Sequence, residues 1–235
     1  MKLIRLVYAF TLVVAVGLIL NSGEVLAKSA PQTDRNKLTV LVWGDSLSAA
    51  YGIPVDKGWV SLLEAEYKDT LSVVNGSISG ETTQGGLTRL PEALEKFQPD
   101  LILLELGAND GLRGIKTEVI EENLKAMVEL AQKADVDVVL LGIRIPLNYG
   151  FTYTQKFEQV FVDVAKEYQL PLLPFLLEPV ALDYDLMQSD GLHPTAEAQP
   201  QVLAHVMTVL KDVLDEQLKP EAVSSSESVA VGSDG

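Results

Sequence analysis

The sequence predicts an α/β protein: a flavodoxin-like three-layer α/β/α sandwich built on a five-stranded parallel sheet in the order 2-1-3-4-5. Three observations lead there. Between Lys37 and Lys219 short β-branched or leucine-rich runs alternate with longer amphipathic ones, and strand alternating with helix implies a parallel sheet covered on both faces. The first three short runs each end in a cluster of small polar residues, and such sheets hold ligands at the carboxyl ends of their strands, near the point where strand order reverses. The chain has 235 residues, 47% of them hydrophobic, enough for one sizeable core.

Taken in chain order, Met1–Arg5 is positively charged, Leu6–Leu20 is apolar, and Asn21–Ala27 is polar and ends in Val25-Leu26-Ala27. These are the three regions of a secretory signal peptide, so residues 1–27 are expected to be removed and the product to be periplasmic or secreted. The apolar run is shorter than the ~20 residues of a spanning helix, so no stable membrane anchor is expected after cleavage. Residues 28–36 read as a polar leader. The domain, 37–219, then offers strands at Leu38–Trp43, Ser72–Asn75, Leu101–Leu106, Asp137–Ile143 and Leu170–Pro174. Helical spacing of apolar residues marks Trp59–Tyr67, Thr83–Phe97, Thr117–Lys133, Gln155–Tyr168 and Ala196–Leu218. Residues 220–235, serine-rich and without aromatics, read as a disordered acidic tail.

Composition excludes several functions. The chain has no cysteine, hence no disulfide framework, thiol nucleophile or lipid-modified N-terminal cysteine. A formal net charge of -15 repels nucleic acid and anionic membrane surfaces. Neither phosphate-binding glycine motif follows a strand, which counts against a nucleotide site. The only histidines are His193 and His205, too few for a histidine metal cluster. His205 falls in an amphipathic helix and reads as structural.

The polar strand ends carry the chemistry. Gly44-Asp45-Ser46 after the first strand is, taken alone, a common turn. Ser189-Asp190-Gly191-Leu192-His193-Pro194 sits just before the last helix, and there Asp190 can reach one ring nitrogen of His193. A hydrolytic site needs a serine nucleophile, a histidine to take its proton and a carboxylate to hold the histidine's tautomer. Ser46, His193 and Asp190 can fill those roles. The N–H groups of Ser46 and Gly80 and the amide of Asn109 can supply donors to a developing oxyanion.

Four blocks now stand in order: Gly44-Asp45-Ser46-Leu47-Ser48, Ile78-Ser79-Gly80-Glu81-Thr82, Gly107-Ala108-Asn109-Asp110 and Asp190-Gly191-Leu192-His193-Pro194. On these the chain resembles the SGNH or GDSL hydrolases. Asn109–Gly114, Arg144–Gly150 and Leu170–Phe175 are similar to the branch of that superfamily that holds bacterial periplasmic thioesterases and lysophospholipases. The resemblance implies the flavodoxin-like fold, no cofactor and no metal, and a monomer acting on small acyl esters or thioesters through an acyl-enzyme. It also implies an acyl groove, with Leu112, Ile145, Pro146 and Tyr149 as its candidate walls. Two alternatives stay open: a carbohydrate acetylesterase on the same scaffold, and a degenerate member that only binds lipid. One departure is Ala108, where this type of member usually carries a second glycine, and a methyl group there would crowd a backbone that needs positive φ.

Overall fold

The computed structural model describes residues 37–219; the expected signal peptide, leader and tail lie outside them. The strands are β1 (Leu38–Gly44), β2 (Leu71–Asn75), β3 (Leu101–Glu105), β4 (Asp137–Leu141) and β5 (Leu172–Leu173). They form one parallel sheet in the order β2-β1-β3-β4-β5. The helices are α1 (Trp59–Glu66), α2 (Thr83–Phe97), α3 (Ala108–Leu112), α4 (Thr117–Lys133), α5 (Phe151–Tyr168) and α6 (Gln199–Gln217).

Each strand serves two cores, because successive side chains leave a strand on opposite faces. Leu41 and Trp43 of β1, Ile102 and Leu104 of β3 and Val138 and Leu140 of β4 pack with α2, α4 and α5. Val40, Val42, Leu101, Leu103, Val139 and Leu141 point the other way, toward α1 and α6. A strand buried on both faces has no room for polar alternation, which is why β1, β3 and β4 read as nearly continuous apolar runs, each broken by a single polar residue, Thr39, Glu105 or Asp137.

Where element boundaries depart from expectation, local chemistry explains it. The fifth strand shrinks to two residues, since Pro171 and Pro174 on either side have no N–H to add to the ladder. Helix α6 begins at Gln199, not Ala196. Pro200 cannot donate to the Ala196 carbonyl, so the regular bond pattern starts after it. Helix α5 begins four residues early, at Phe151. Aromatic and β-branched residues at 151–154 are weak helix formers, but the Thr154 hydroxyl bonds the carbonyls of Gly150 and Phe151 at 3.2 and 3.0 Å and steadies that turn.

The sheet sets the place of the site. From β1 the chain crosses to β2 on one side and later returns to β3 on the other. The loops after β1, β2 and β3 therefore open at one carboxyl edge, at the reversal of strand order.

Candidate active site

The loop after β1 carries Asp45, Ser46, Leu47 and Ser48. Asp45 is fully buried and Ser46 half-buried, and the Ala49 N–H closes the turn on the Asp45 carbonyl at 2.9 Å. His193 reaches this turn from the segment between β5 and α6. Its Nε2 lies 2.8 Å from Ser46 Oγ, and its Nδ1 lies 2.7 Å from Asp190 Oδ2. The other Asp190 oxygen accepts the N–H groups of Leu192 (2.9 Å) and His193 (3.0 Å), so aspartate and histidine are locked together by backbone as well as by ring. Burial pushes the Asp190 carboxyl up, but these backbone and ring hydrogen bonds outweigh it and hold the group below its ordinary value. An ionised Asp190 fixes hydrogen on Nδ1 and leaves Nε2 free to accept from Ser46. The Tyr51 ring lies 4.5 Å from the His193 ring, centroid to centroid.

Gln188 fastens the histidine segment. Its N–H donates to the His193 carbonyl at 2.7 Å. Its side-chain Nε2 donates to the Pro194 carbonyl at 3.0 Å and, across to the β1 loop, to the Tyr51 carbonyl at 2.8 Å. One residue thus ties the His193 loop to the Ser46 loop. The segment also closes on itself through one antiparallel bridge, Met187 to Pro194.

The β2 and β3 loops complete the edge. The Asn109 amide donates to Asp45 Oδ2 at 3.1 Å and to the Glu81 carbonyl at 2.9 Å, joining the neighbours of Ser46 and of Gly80. The Glu81 side chain is held by Arg89 at 2.6 Å, whose guanidinium lies 4.1 Å from the Trp43 ring. Arg113 donates to the Gly80 carbonyl at 3.2 Å. Among the described residues the N–H groups of Ser46 and Gly80 donate to no other group. Asp110 accepts twice from Thr83, at 2.9 Å from its N–H and 2.7 Å from its hydroxyl, which seats the start of α2 under this loop.

Ala108 finds its place here. The positive φ falls one residue earlier, at Gly107 (φ 128), while Ala108 is the first residue of α3 and helical, so its methyl is accommodated. The short α3 was not legible as a helix: Gly111-Leu112-Arg113-Gly114 reads as a flexible turn, and two glycines conceal a single helical turn closed by tertiary contacts.

A cavity of about 570 Å³ opens beside Ser46 and His193. Leu112, Ile145 and Pro146 line it, together with Leu47, Phe175, Leu177, Ala181 and Met187. Tyr149 is not among the lining residues; it lies in the short turn before α5 and is 39% exposed. The wall from β5 onward, Phe175 to Met187, was missed. Its signal was the apolar run continuing past Pro174, longer than a strand requires. His205 lies in α6 with Nε2 3.1 Å from the Phe175 carbonyl.

Glu105 was missed as well. It is 0% exposed at the end of β3, and its signal was an acid inside the apolar run Leu101–Leu106. Burial, then the charge of Asp45, pushes its carboxyl well above the ordinary range. Asp45 is itself lifted by burial from 3.8 to about 6, against hydrogen bonds from the Leu47 N–H and the Asn109 amide and the attraction of His193.

A three-layer α/β/α sheet that presents a linked serine, histidine and aspartate at its carboxyl edge, beside an apolar cavity, defines a class: hydrolases that act on acyl groups. The model of the GDSL-like lipase/acylhydrolase family matches residues 42–199, and the chain belongs to that family. It is 47% identical over 170 residues to an arylesterase of Vibrio mimicus, covering 71% of this chain and 85% of that one. It is 42% identical over 182 residues to the thioesterase 1/protease 1/lysophospholipase L1 of Escherichia coli, covering 77% and 84%. Among solved structures, a psychrotrophic esterase EstA from Pseudoalteromonas sp., inhibited by monoethylphosphonate, superposes with a TM-score of 0.73 at 40% identity, over 75% of this chain and 98% of that one.

Proposed function

We propose that this GDSL-family hydrolase cleaves esters and thioesters of fatty acyl chains through an acyl-enzyme on Ser46. The observation that carries the reading is the continuous hydrogen-bonded line from Asp190 through His193 to Ser46, ending at a largely apolar cavity. Ser46 Oγ attacks the acyl carbonyl as its proton passes to His193 Nε2. Asp190 holds Nδ1–H and stabilises the imidazolium, which then protonates the departing alkoxide or thiolate. Water deacylates Ser46 by the same route in reverse. The N–H groups of Ser46 and Gly80 are the uncommitted donors for the oxyanion. Asn109 joins them by releasing one of its two present acceptors, the Glu81 carbonyl being the uncharged one.

The names of the relatives, esterase, arylesterase and thioesterase/lysophospholipase, agree with a broad acyl ester specificity. The charge pattern and apolar run of residues 1–27 support export to the periplasm or beyond. With the signal removed, the domain is proposed to act as a monomer, without metal or cofactor.

Chain-length profiling tests the reading. Each added methylene buried in the cavity is worth up to about 0.8 kcal/mol, so kcat/KM should climb from acetyl to medium-chain p-nitrophenyl esters and then level off. Leu112→Asn should flatten that climb and spare acetyl ester cleavage. Leu112 is the better site for the change because it is half-buried, whereas Ile145 is 5% exposed and packs in the core. A wild-type preference for acetyl over octanoyl esters would point instead to a carbohydrate acetylesterase.

A further inference from the structure

Glu105 and Asp45 are both 0% exposed, and among the described residues no ion pair includes either. Glu105 lies opposite Gly44 in the register of β1 and β3. There its Oε2 accepts the Asp45 N–H at 3.2 Å and the Ser48 hydroxyl at 2.7 Å. A Cβ on Gly44 would stand 2.5 Å from that oxygen, so the carboxyl fills the space a side chain would need. Its other oxygen, Oε1, is buried and has no hydrogen-bond partner among the described residues. Asp45 differs: Oδ1 accepts the Leu47 N–H at 3.0 Å and Oδ2 accepts the Asn109 amide at 3.1 Å.

Two ionised carboxylates in one dry site repel each other, and among the described residues neither has a salt-bridge partner to offset its charge. One proton relieves both costs. Each carboxyl accepts two hydrogen bonds, but those of Asp45 occupy both of its oxygens, whereas those of Glu105 fall on Oε2 alone and leave Oε1 as the oxygen on which a proton displaces no donor. We propose that Glu105 is a positioning residue of the active site: as an uncharged carboxylic acid it fastens the Ser46 turn to β3 through the Asp45 N–H and the Ser48 hydroxyl, and it leaves Asp45 as the single anion next to Ser46. Burial pushes both carboxyls up, Glu105 well above its ordinary value and Asp45 to about 6, so the pair is not doubly ionised without cost. The groups facing Glu105 are Asp45 and Ser48; Asp45 in turn faces His193, Asn109 and Asp110. The retained charge has a use, since it attracts the imidazolium that forms as Ser46 attacks.

The inference rests on Ser46 as nucleophile, and fluorophosphonate labelling of wild type separates the two: no label on Ser46 would remove the proposed function, whatever Glu105 does. For Glu105 itself, Glu105→Ala and Glu105→Gln are compared with wild type. Loosening the turn with Ala should lower kcat about 10–100-fold with KM nearly unchanged, and Gln, which keeps an acceptor oxygen and carries no charge, should restore most of that loss. The stability readout is independent of turnover. Unfolded, Glu105 ionises near its ordinary 4.5. Folded, it keeps its proton, so wild type loses stability relative to Glu105→Gln as pH rises above that value. The ratio of their unfolding constants in urea should grow about tenfold per pH unit between pH 5 and 7. A flat ratio means that folded Glu105 is ionised and overturns the proposal. So does an Ala variant with wild-type kcat, or a Gln variant as impaired as Ala. If the Ala variant does not fold, the urea series and the kcat of Glu105→Gln decide between the same outcomes.

Discussion

Ser46→Ala should lose on the order of 10⁴–10⁶-fold in kcat and all fluorophosphonate labelling, with KM little changed. Its hydroxyl is engaged by His193 alone among the described residues, and the side chain is half-buried. The variant should therefore fold and melt like wild type. Ser48, two residues on, is 1% exposed and donates to Glu105 at 2.7 Å, so it is neither accessible nor free to stand in. A label mapped to Ser48 in the variant would overturn the assignment. The residual rate is what the oxyanion donors and the cavity supply by holding substrate next to water.

A loss of similar size is expected for His193→Ala, because the serine then has no acceptor for its proton and the leaving group no acid. In wild type the rate should rise with pH, since a protonated imidazole cannot accept from Ser46. Asp190 stays ionised through that rise, being held below the ordinary carboxylate range by the Leu192 and His193 N–H groups and the ring. Steady-state rates of wild type and His193→Ala across pH 5–9 check both statements. Wild-type turnover in the Ala variant, or a profile without the rise, would remove His193 from the mechanism.

What was legible in the sequence follows from how locally each feature is encoded. Strands such as Leu38–Trp43 and Leu101–Leu106 announce themselves because burial on both faces leaves little room for polar residues, Thr39 and Glu105 being the exceptions. The sheet order was read from five strands in alternation with helices, the count of a flavodoxin-like sandwich, and the sheet has that order. Ser46, Asn109, Asp190 and His193 were visible because their chemistry is carried by short segments with fixed internal spacing. The helix at Ala108–Leu112 was not, since Gly111 within it and Gly107 just before it argue against a helix and only its seat between β3 and α4 makes one. Glu105 was visible as an oddity, but its partners Ser48 and the Asp45 N–H are 57 and 60 residues away, and nothing local names them. The cavity wall beyond Phe175 went unread for a related reason: an irregular segment has no period, so only the folded chain shows which of its apolar residues face inward.

The Gln188 fastening has a consequence for heat. Ser46 belongs to a turn embedded between β1 and β3, while His193 and Asp190 ride on a segment of irregular backbone that closes on itself through one bridge and is tied to the β1 loop by the Gln188 amide and the His193 ring. Segments with few buried contacts open at a lower free energy than the sheet they rest on. Loss of activity on warming is then a separate event from collapse of the sandwich, reversible on cooling as long as the sheet survives. In amide hydrogen exchange, the N–H groups of Gln188 and Thr195 should trade with solvent long before those of Leu103 and Val139.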